Sequence, residues 1–473
     1  MGLTASSLNL QPGAQKVITP YNYITQYDFE TPYMPELDTT IFESFGDQMI
    51  MGFLEKSAAE YSMTSDTVKW SEDGRLETKY VNCVTDAAAA ADTATITVND
   101  TLIPSATNGI AVRPQQTGVI YANNGTGSNK FQVTDVDYTA GTFDVAYYEG
   151  GGQTFAVSTV CSVFFTGSEF KKGTTGMVGS LESYVNIFEN TPIIEKDHFE
   201  VAGSDTAQIG WISVNDNQAG GTTYLWFVKS QNDTRKRFNN AIESSMVEAV
   251  PAATGSGVIA LAAGIGGNKG MDGMFYSVET RGNVWSAGYP TTITDWQVVT
   301  KRQDSQGAVR DNLIWVNRDM QYGIDTFLSQ QNSLGAGGTN WGAFNNSSEM
   351  GLKLGFKDWR LGSYYFYQTD WKYLNDATKR GNMPNNSGSG KVYGLMLPSG
   401  SVNVYENTLG SYVSRPYIHV RYRASEFDNR RYKVWTTGSV GAATDSQDVK
   451  RIEFLTERTV CTMGANNTFI FKA

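Results

Sequence analysis

Apolar positions along the chain change period several times, and each period predicts an element. Ile41, Phe45, Met49 and Phe53 recur every fourth residue behind a Thr40–Glu43 capping box, which predicts a helix over 40–62. Residues 66–82 (DTVKWSEDGRLETKYVN) alternate around a Glu-Asp-Gly turn and are expected to form a hairpin. From about 84 to 168 come short β-type runs: ATITVND, GIAVRP, GVIYANN, KFQVTDVD, TFDVAYYEG and FAVSTVCSVFF. Turn residues separate them every 8–12 positions, the pattern of a small all-β module. Strand signals return at SYVNIFEN, HFEVAGS and AQIGWISV.

The strongest helix signal runs from about 222 to 250, with Thr222 or Thr223 as cap and Pro251 as stop. Phe238, Ala241, Ile242, Met246 and Val250 line one side, and Lys229, Arg235, Lys236 and Arg237 make its middle basic. A Gly/Ala-rich stretch at 252–273 reads as a linker or tight crossing. Beyond it a helix at 291–306 carries Ile293, Trp296 and Val299, NLIWVN is a buried strand, and 318–331 is a helix interrupted by Gly323. After a polar loop at 332–350 the chain is mostly β: a run ending in KDWRLGSYYFYQTDW, then KVYGLMLP, SVNVYE, PYIHVRYR, RRYKVWTTG and a final pair, RIEFLTERT and TFIFKA.

The first 38 residues break the pattern. Pro12, Pro20, Pro32 and Pro35 forbid a useful helix and favour an extended path. Tyr21, Tyr23, Ile24, Tyr27, Phe29 and Tyr33 sit among them, and an extended segment cannot bury its own aromatics. The arm therefore lies on its own subunit or on a neighbour.

Composition narrows the function. The chain has 473 residues, 40% of them hydrophobic, enough for a sizeable core, and Gly (48) far exceeds Pro (12), which suits tight turns. A net charge of −11 argues against a generic nucleic-acid coat. No apolar run reaches the ~18 residues of a membrane helix, and no signal peptide is visible. Cys83, Cys161 and Cys461 form no CxxC and are expected as free thiols, with Cys83 and Cys161 as neighbours at the neck of the β module. That module carries seven acidic residues (Asp86, Asp92, Asp100, Asp135, Asp137, Asp144, Glu149) against Arg113 and Lys130, so an acidic knob is expected.

Catalytic patterns are mostly missing. There is no P-loop, no GxSxG elbow and no HExxH, and only His198 and His419 exist to serve a triad or a metal. GIGGNKG lacks dinucleotide spacing, and DVDYTAGTFD reads as a hairpin turn, not a calcium loop. Glycoside hydrolysis needs no His, only two carboxylates beside aromatic platforms, and Asp295-Trp296, Asp358-Trp359 and Asp370-Trp371 are candidates of that kind. A carbohydrate-active enzyme with a β module is thus one alternative, and a tail or baseplate β protein is another. No enzyme activity, cofactor or metal is expected.

The order of elements resembles the major capsid protein of tailed bacteriophages, a fold shared with herpesvirus shells. KVWTTGSVG and RIEFLTERTVCTMGANNTFIFK have the look of its crAss-like branch. The resemblance implies an α+β capsid fold with an inserted all-β domain. Its parts would be an extended N-terminal arm (1–38), a helix and the first half of an extended loop (39–83), and the insertion (84–168). The return of the loop (169–220), a spine helix of the peripheral domain (221–254), the axial domain with remaining peripheral strands (255–440) and C-terminal strands (441–473) would follow. KSQNDTRKRFNNAIESSMVEAV looks like the spine helix, and DWQVVTKRQDSQGAVRDNLIWVNRDMQYGIDTFL like part of the axial domain.

Such a subunit assembles into hexamers and pentamers and then an icosahedral head around double-stranded DNA, in a bacterial host's cytoplasm. Its implied partners are many copies of itself, a portal, auxiliary head proteins and weakly held packaged DNA, with no membrane. No coiled-coil segment precedes the arm, so a separate scaffolding protein is expected. Candidate intersubunit contacts are Tyr21, Tyr23, Tyr27, Phe29, Tyr33, Trp70, Arg75, Arg235 and Arg237. A pairing strip of Arg415, Arg421, Arg423, Glu426, Asp428, Arg430 and Arg431 joins them. Lys69, Lys79, Lys171 and Lys172 lie where some relatives cross-link, but no triad can be assigned.

Overall fold

Strands dominate the described residues between 58 and 202 of the computed structural model, which describes 58–75, 77–99, 110–181, 185–207, 213–215, 222–260, 268–333, 358–384, 390–406, 411–439 and 444–473. The arm, residues 40–57 of the first expected helix and the 334–350 loop lie outside the described residues.

In chain order the first strands are β1 (Ala58–Met63), β2 (Val68–Asp73), β3 (Lys79–Thr85), β4 (Thr93–Val98), β5 (Gln116–Ala122), β6 (Ser128–Asp137), β7 (Thr142–Tyr147) and β8 (Val160–Ser168). Next come β9 (Val185–Asn190), β10 (Ile193–Ala202), a short helix α1 (Gly203–Ala207), β11 (Ser213–Asn215), β12 (Thr222–Tyr224) and the long helix α2 (Leu225–Glu248). Then follow α3 (Met274–Arg281), β13 (Asn283–Trp285), α4 (Ile293–Gln306), β14 (Asp311–Val316), α5 (Arg318–Ser333), β15 (Asp358–Leu361), β16 (Tyr364–Asp370) and α6 (Lys372–Asn375). The chain ends with β17 (Val392–Pro398), β18 (Ser401–Glu406), β19 (Ser411–Pro416), β20 (Ile418–Arg423), β21 (Lys433–Gly438), β22 (Val449–Thr462) and β23 (Phe469–Lys472).

Two compact units divide the chain. Among the described residues, one takes 199–237 and 437–451, and the other takes the remainder. The smaller unit is tied by Gly203 N donating to Asp448 O at 2.9 Å and by Arg451, which pairs with Glu200 at 2.5 Å.

Within the larger unit, β3-β4-β7-β6-β5-β8 close into a barrel. Alternation explains it: Ile96, Ile120, Phe131, Val133, Phe143, Val145 and Val163 point inward and are buried. Phe131, Phe143 and Phe165 meet there with ring centroids 6.0–6.3 Å apart. Buried Gln153 is fully used: it accepts from Thr85 and Tyr147 and donates to the carbonyls of Ala87 and Phe155. Cys83 and Cys161 face each other across β3 and β8 as free, buried thiols. DVDYTAGTFD is the β6–β7 turn, with Gly141 at φ 68°.

A six-stranded mixed sheet, β13-β23-β17-β14-β16-β15, forms the second core. Every residue of β17 is buried, because helices cover the sheet on both sides there and no alternation is needed. One side packs Trp296 and Val299 of α4 with Met320, Ile324 and Phe327 of α5. The other packs Met274, Phe275 and Val278 of α3, the end of α2, and Trp371, Tyr373 and Leu374. α4 starts on a Thr292–Asp295 capping box and ends at Gly307, whose φ of 68° favours glycine. Gly323 does not interrupt α5; a Cβ there would lie 2.5 Å from the Tyr289 ring, so close packing selects it.

The remaining large sheet runs β1-β20-β22-β10, with β21 also on β22. Small ribbons pair β2 with β9, β11 with β12, and β18 with β19.

Several expectations need correction. Residues 58–62 are strand, not helix, because β1 pairs in parallel with β20. No hairpin spans 66–82: β2 pairs with β9 while β3 enters the barrel, which therefore begins at Lys79, ahead of 84. In GIAVRP, described from Ile110, no strand forms, although Ile110 and Val112 plug the barrel core. Of AQIGWISV, Ala207 ends α1 and only Ser213 and Val214 are described as strand. α2 starts at Leu225, after Thr222 and Thr223 have paired in β12, and Ala241 and Val250 are exposed rather than on its buried side. RIEFLTERT and TFIFKA do not pair; β22 and β23 belong to different sheets.

Candidate assembly surface

The β2–β9 ribbon joins segments over a hundred residues apart, with Val68 opposite Asn190 and Asp73 opposite Val185. Period-two alternation splits it into two sides. One carries Val68, Trp70, Phe188 and Asn190 and lies on the body. The Arg281 guanidinium sits 5.5 Å over Trp70 and 4.6 Å over Phe188, and Trp70 Nε1 donates to Glu72 at 3.0 Å. Asn190 Nδ2 donates to the carbonyls of Asp272 and Val460, at 2.9 and 2.6 Å, which pins the ribbon's base. The other side carries the Lys69–Glu189 ion pair at 3.0 Å, then Ile187, 70% exposed, and Val185, 43% exposed. Arg75, just past the ribbon, donates to the Ser305 carbonyl.

Charge is concentrated around two carboxylates that the pattern of the sequence did not single out. Glu457, on β22 and only 5% exposed, lies 2.8 Å from Arg423 and 3.0 Å from Arg430. The approach is Coulombic, since those Nε atoms make no directed hydrogen bond. Glu60 of β1 pairs with Arg431 and, at 2.6 Å, with Arg458. Arg423 also pairs with Asp66, which is held below the usual carboxylate range by that guanidinium. Asp428 pairs with Lys433 at 2.7 Å. Thus Arg423, Asp428, Arg430 and Arg431 of the expected strip meet opposite charge inside the chain, which fastens edge strand β1 to the sheet. Glu426 stays exposed, beside Phe427, 98% exposed at the tip of the same turn. A clue was present in TERT, where Glu457 and Arg458 sit just before the apolar Val460 and Cys461 of the same strand.

Arg415 and Arg421 lie beside His419. They line a cavity of about 180 Å³ with Trp70, Lys69, His419 and Cys461. His419 is 1% exposed, and its Nε2 accepts from Arg421 Nε at 3.4 Å. Burial, then Arg421 and Arg415, push it down to about 4, so it is neutral. Burial pushes the Cys461 thiol up to about 11. Arg235 and Arg237 are exposed on α2. Tyr21, Tyr23, Tyr27, Phe29 and Tyr33 lie outside the described residues.

The Asp-Trp pairs do not build a sugar site. Trp296, Trp359 and Trp371 are buried core residues rather than platforms. Asp295 caps α4, and Asp370 pairs with Arg318 at 2.7 Å. Among the described residues no cluster of three or more metal-ligating side chains occurs, and no helix is long and apolar enough to cross a membrane.

No protein-family model matches the chain, and no curated protein matches it. Solved structures do align with it. The chain is similar to one from Microbacterium phage Oxtober96 at 8% identity, with a TM-score of 0.37, over 93% of this chain and 95% of that one. It is similar to a chain of the cyanophage Pam1 capsid asymmetric unit at 10% identity and a TM-score of 0.37, over 100% and 98%. A third likeness is to the mature capsid of bacteriophage PhiM1, at 8% identity and a TM-score of 0.35, over 95% and 98%.

Proposed function

We propose that the chain is a major capsid protein, a subunit that assembles with many copies of itself into the shell of a tailed-phage virion. The observation that carries this reading is the β2–β9 ribbon. It is tied down at its base and on its Trp70 side, yet its other side presents Ile187 and Val185 to solvent. Exposed apolar residues side by side on one side of a ribbon are useful where a neighbouring copy covers them. In this proposal the ribbon is the extended loop, α2 the spine helix, the six-stranded sheet the axial domain and the barrel an insertion for neighbours or an auxiliary protein. Hexamers and pentamers would close an icosahedral head around double-stranded DNA, helped by a separate scaffolding protein and a portal.

Negative-stain electron microscopy of particles from a lysate co-expressing the chain with a scaffolding protein tests the reading. Closed polyhedral particles built of this ~52 kDa chain are expected. Tubes, rings or a dispersed monomer overturn it. Deletion of residues 1–35 is expected to leave a folded body unable to form stable shells.

A further inference from the structure

The barrel's first strand, β3, pairs with its last, β8, and this pairing closes it. Cys83 and Cys161 stand directly opposite each other on these strands. Both are fully buried in the same apolar core inside the barrel, and both are thiols rather than a disulfide. The Cys161 Sγ–H donates to the Cys83 carbonyl at 3.2 Å, so its sulfur already lies over the partner residue. Directly opposed residues of an antiparallel pair are about 4.5–5.5 Å apart at Cα, inside the ~4.4–6.8 Å that a disulfide spans. The pairing depends on a bulge. The register shifts between Tyr80 and Cys83, with Asn82 at φ 58°, and without that shift Asn82 would stand opposite Cys161.

We propose that Cys83 and Cys161 form a disulfide when a small-molecule disulfide such as oxidised glutathione is present, stapling the barrel across its first and last strands. The thiolate of one cysteine attacks a sulfur of the oxidant and expels one small thiolate, leaving a mixed disulfide. The thiolate of the other cysteine attacks the protein-side sulfur and expels the second. The chain gives up two electrons, the oxidant is reduced to two small thiols, and these take up the two protons that leave the cysteines. Both sulfurs are fully buried and burial pushes the Cys161 thiol up to about 11, so the exchange waits for the barrel to open and is slow in the folded subunit. Once made, the bond closes a loop that holds β4–β7 and stabilises the barrel by restricting its unfolded state. Cys461 lies in a different sheet, opposite His419, and serves as internal control. The bond forms within one chain and needs no shell.

The full-length subunit, held for hours in oxidised glutathione just below its urea midpoint so that the barrel opens often, is quenched in acid, alkylated in denaturant and mapped by mass spectrometry. A Cys83–Cys161 cross-link is expected in most chains, with Cys461 outside any protein disulfide; the subunit kept reduced should show three alkylated cysteines. Back in native buffer, amides of β4–β7 should exchange hydrogen at least ~10-fold more slowly than in the reduced subunit, and dithiothreitol should reverse this. Cys461→Ala should keep both the cross-link and the slowing. Cys83→Ala should leave Cys161 with at most a glutathione adduct and no slowing. Glutathione adducts or thiols at Cys83 and Cys161 without a cross-link, pairs with Cys461 as frequent as Cys83–Cys161, or a cross-link that leaves β4–β7 exchange unchanged each overturn the proposal.

Discussion

Acidifying the unassembled subunit from pH 7 to pH 5 should cost stability through His419. In the unfolded chain this imidazole titrates near 6.5, whereas in the fold burial and two guanidinium groups hold it at about 4. Its folded value is depressed, so the associated stability is fully present above pH 6.5 and drains away as pH falls towards 4. A gap of about two and a half units at 1.36 kcal/mol each corresponds to roughly 3 kcal/mol in total, of which about 2 kcal/mol is gone by pH 5. Because His419 is 1% exposed, solvent screening removes little of this. Urea unfolding at several pH values, for wild type and His419→Gln, measures it. The carboxylates titrate alike in both proteins, so the difference between their pH slopes isolates the histidine. The wild type should lose about 2 kcal/mol more than the variant between pH 7 and pH 5. Parallel curves would refute the idea that the arginines and burial hold His419 neutral.

Four further outcomes are expected. Glu457→Ala, which leaves Arg423 and Arg430 facing a gap, should destabilise by roughly 2–3 kcal/mol, the pair being part-exposed on the arginine side, as read by denaturant midpoint. Trp296→Ala should cost about 3–5 kcal/mol by thermal or urea unfolding, since that ring packs 4.8 Å from Trp359 and 5.6 Å from Phe366. Iodoacetamide at pH 7 should leave all three thiols unlabelled in the native subunit and label all three in denaturant, because each is buried and Cys161 and Cys461 are pushed up to about 11. Ile187→Asp should change subunit stability by less than ~0.5 kcal/mol yet reduce shell yield in the co-expression assay, since that side chain is 70% exposed.

Local elements were largely legible in the chain. Short alternating runs separated by turns predicted the barrel strands, and the spacing of Phe238, Ile242 and Met246 predicted α2, because period and cap chemistry act over a few residues. The misreadings lie where a distant partner chose the conformation. AAEYSM continues a helical-looking stretch, yet it pairs residue by residue with Ile418–Arg423, more than 350 positions away. Glu-Asp-Gly looks like a hairpin turn, but β2 takes Val185–Asn190 as partner instead.

The functional surface divides in the same way. Composition alone showed an acidic chain with two histidines, three cysteines and no recognisable catalytic motif. The run of arginines and acids from 415 to 431 was visible too, but its distribution was not. Register places Glu457 against Arg423 and Arg430 and Glu60 against Arg431, three arginines of that run, while Arg415 and Arg421 fall beside His419 on a cavity wall. A sequence determines how each segment can repeat its apolar positions. Which charge meets which is decided by strand order, because ion pairing acts over a few ångströms and only the tertiary fold brings residues hundreds of positions apart to that distance.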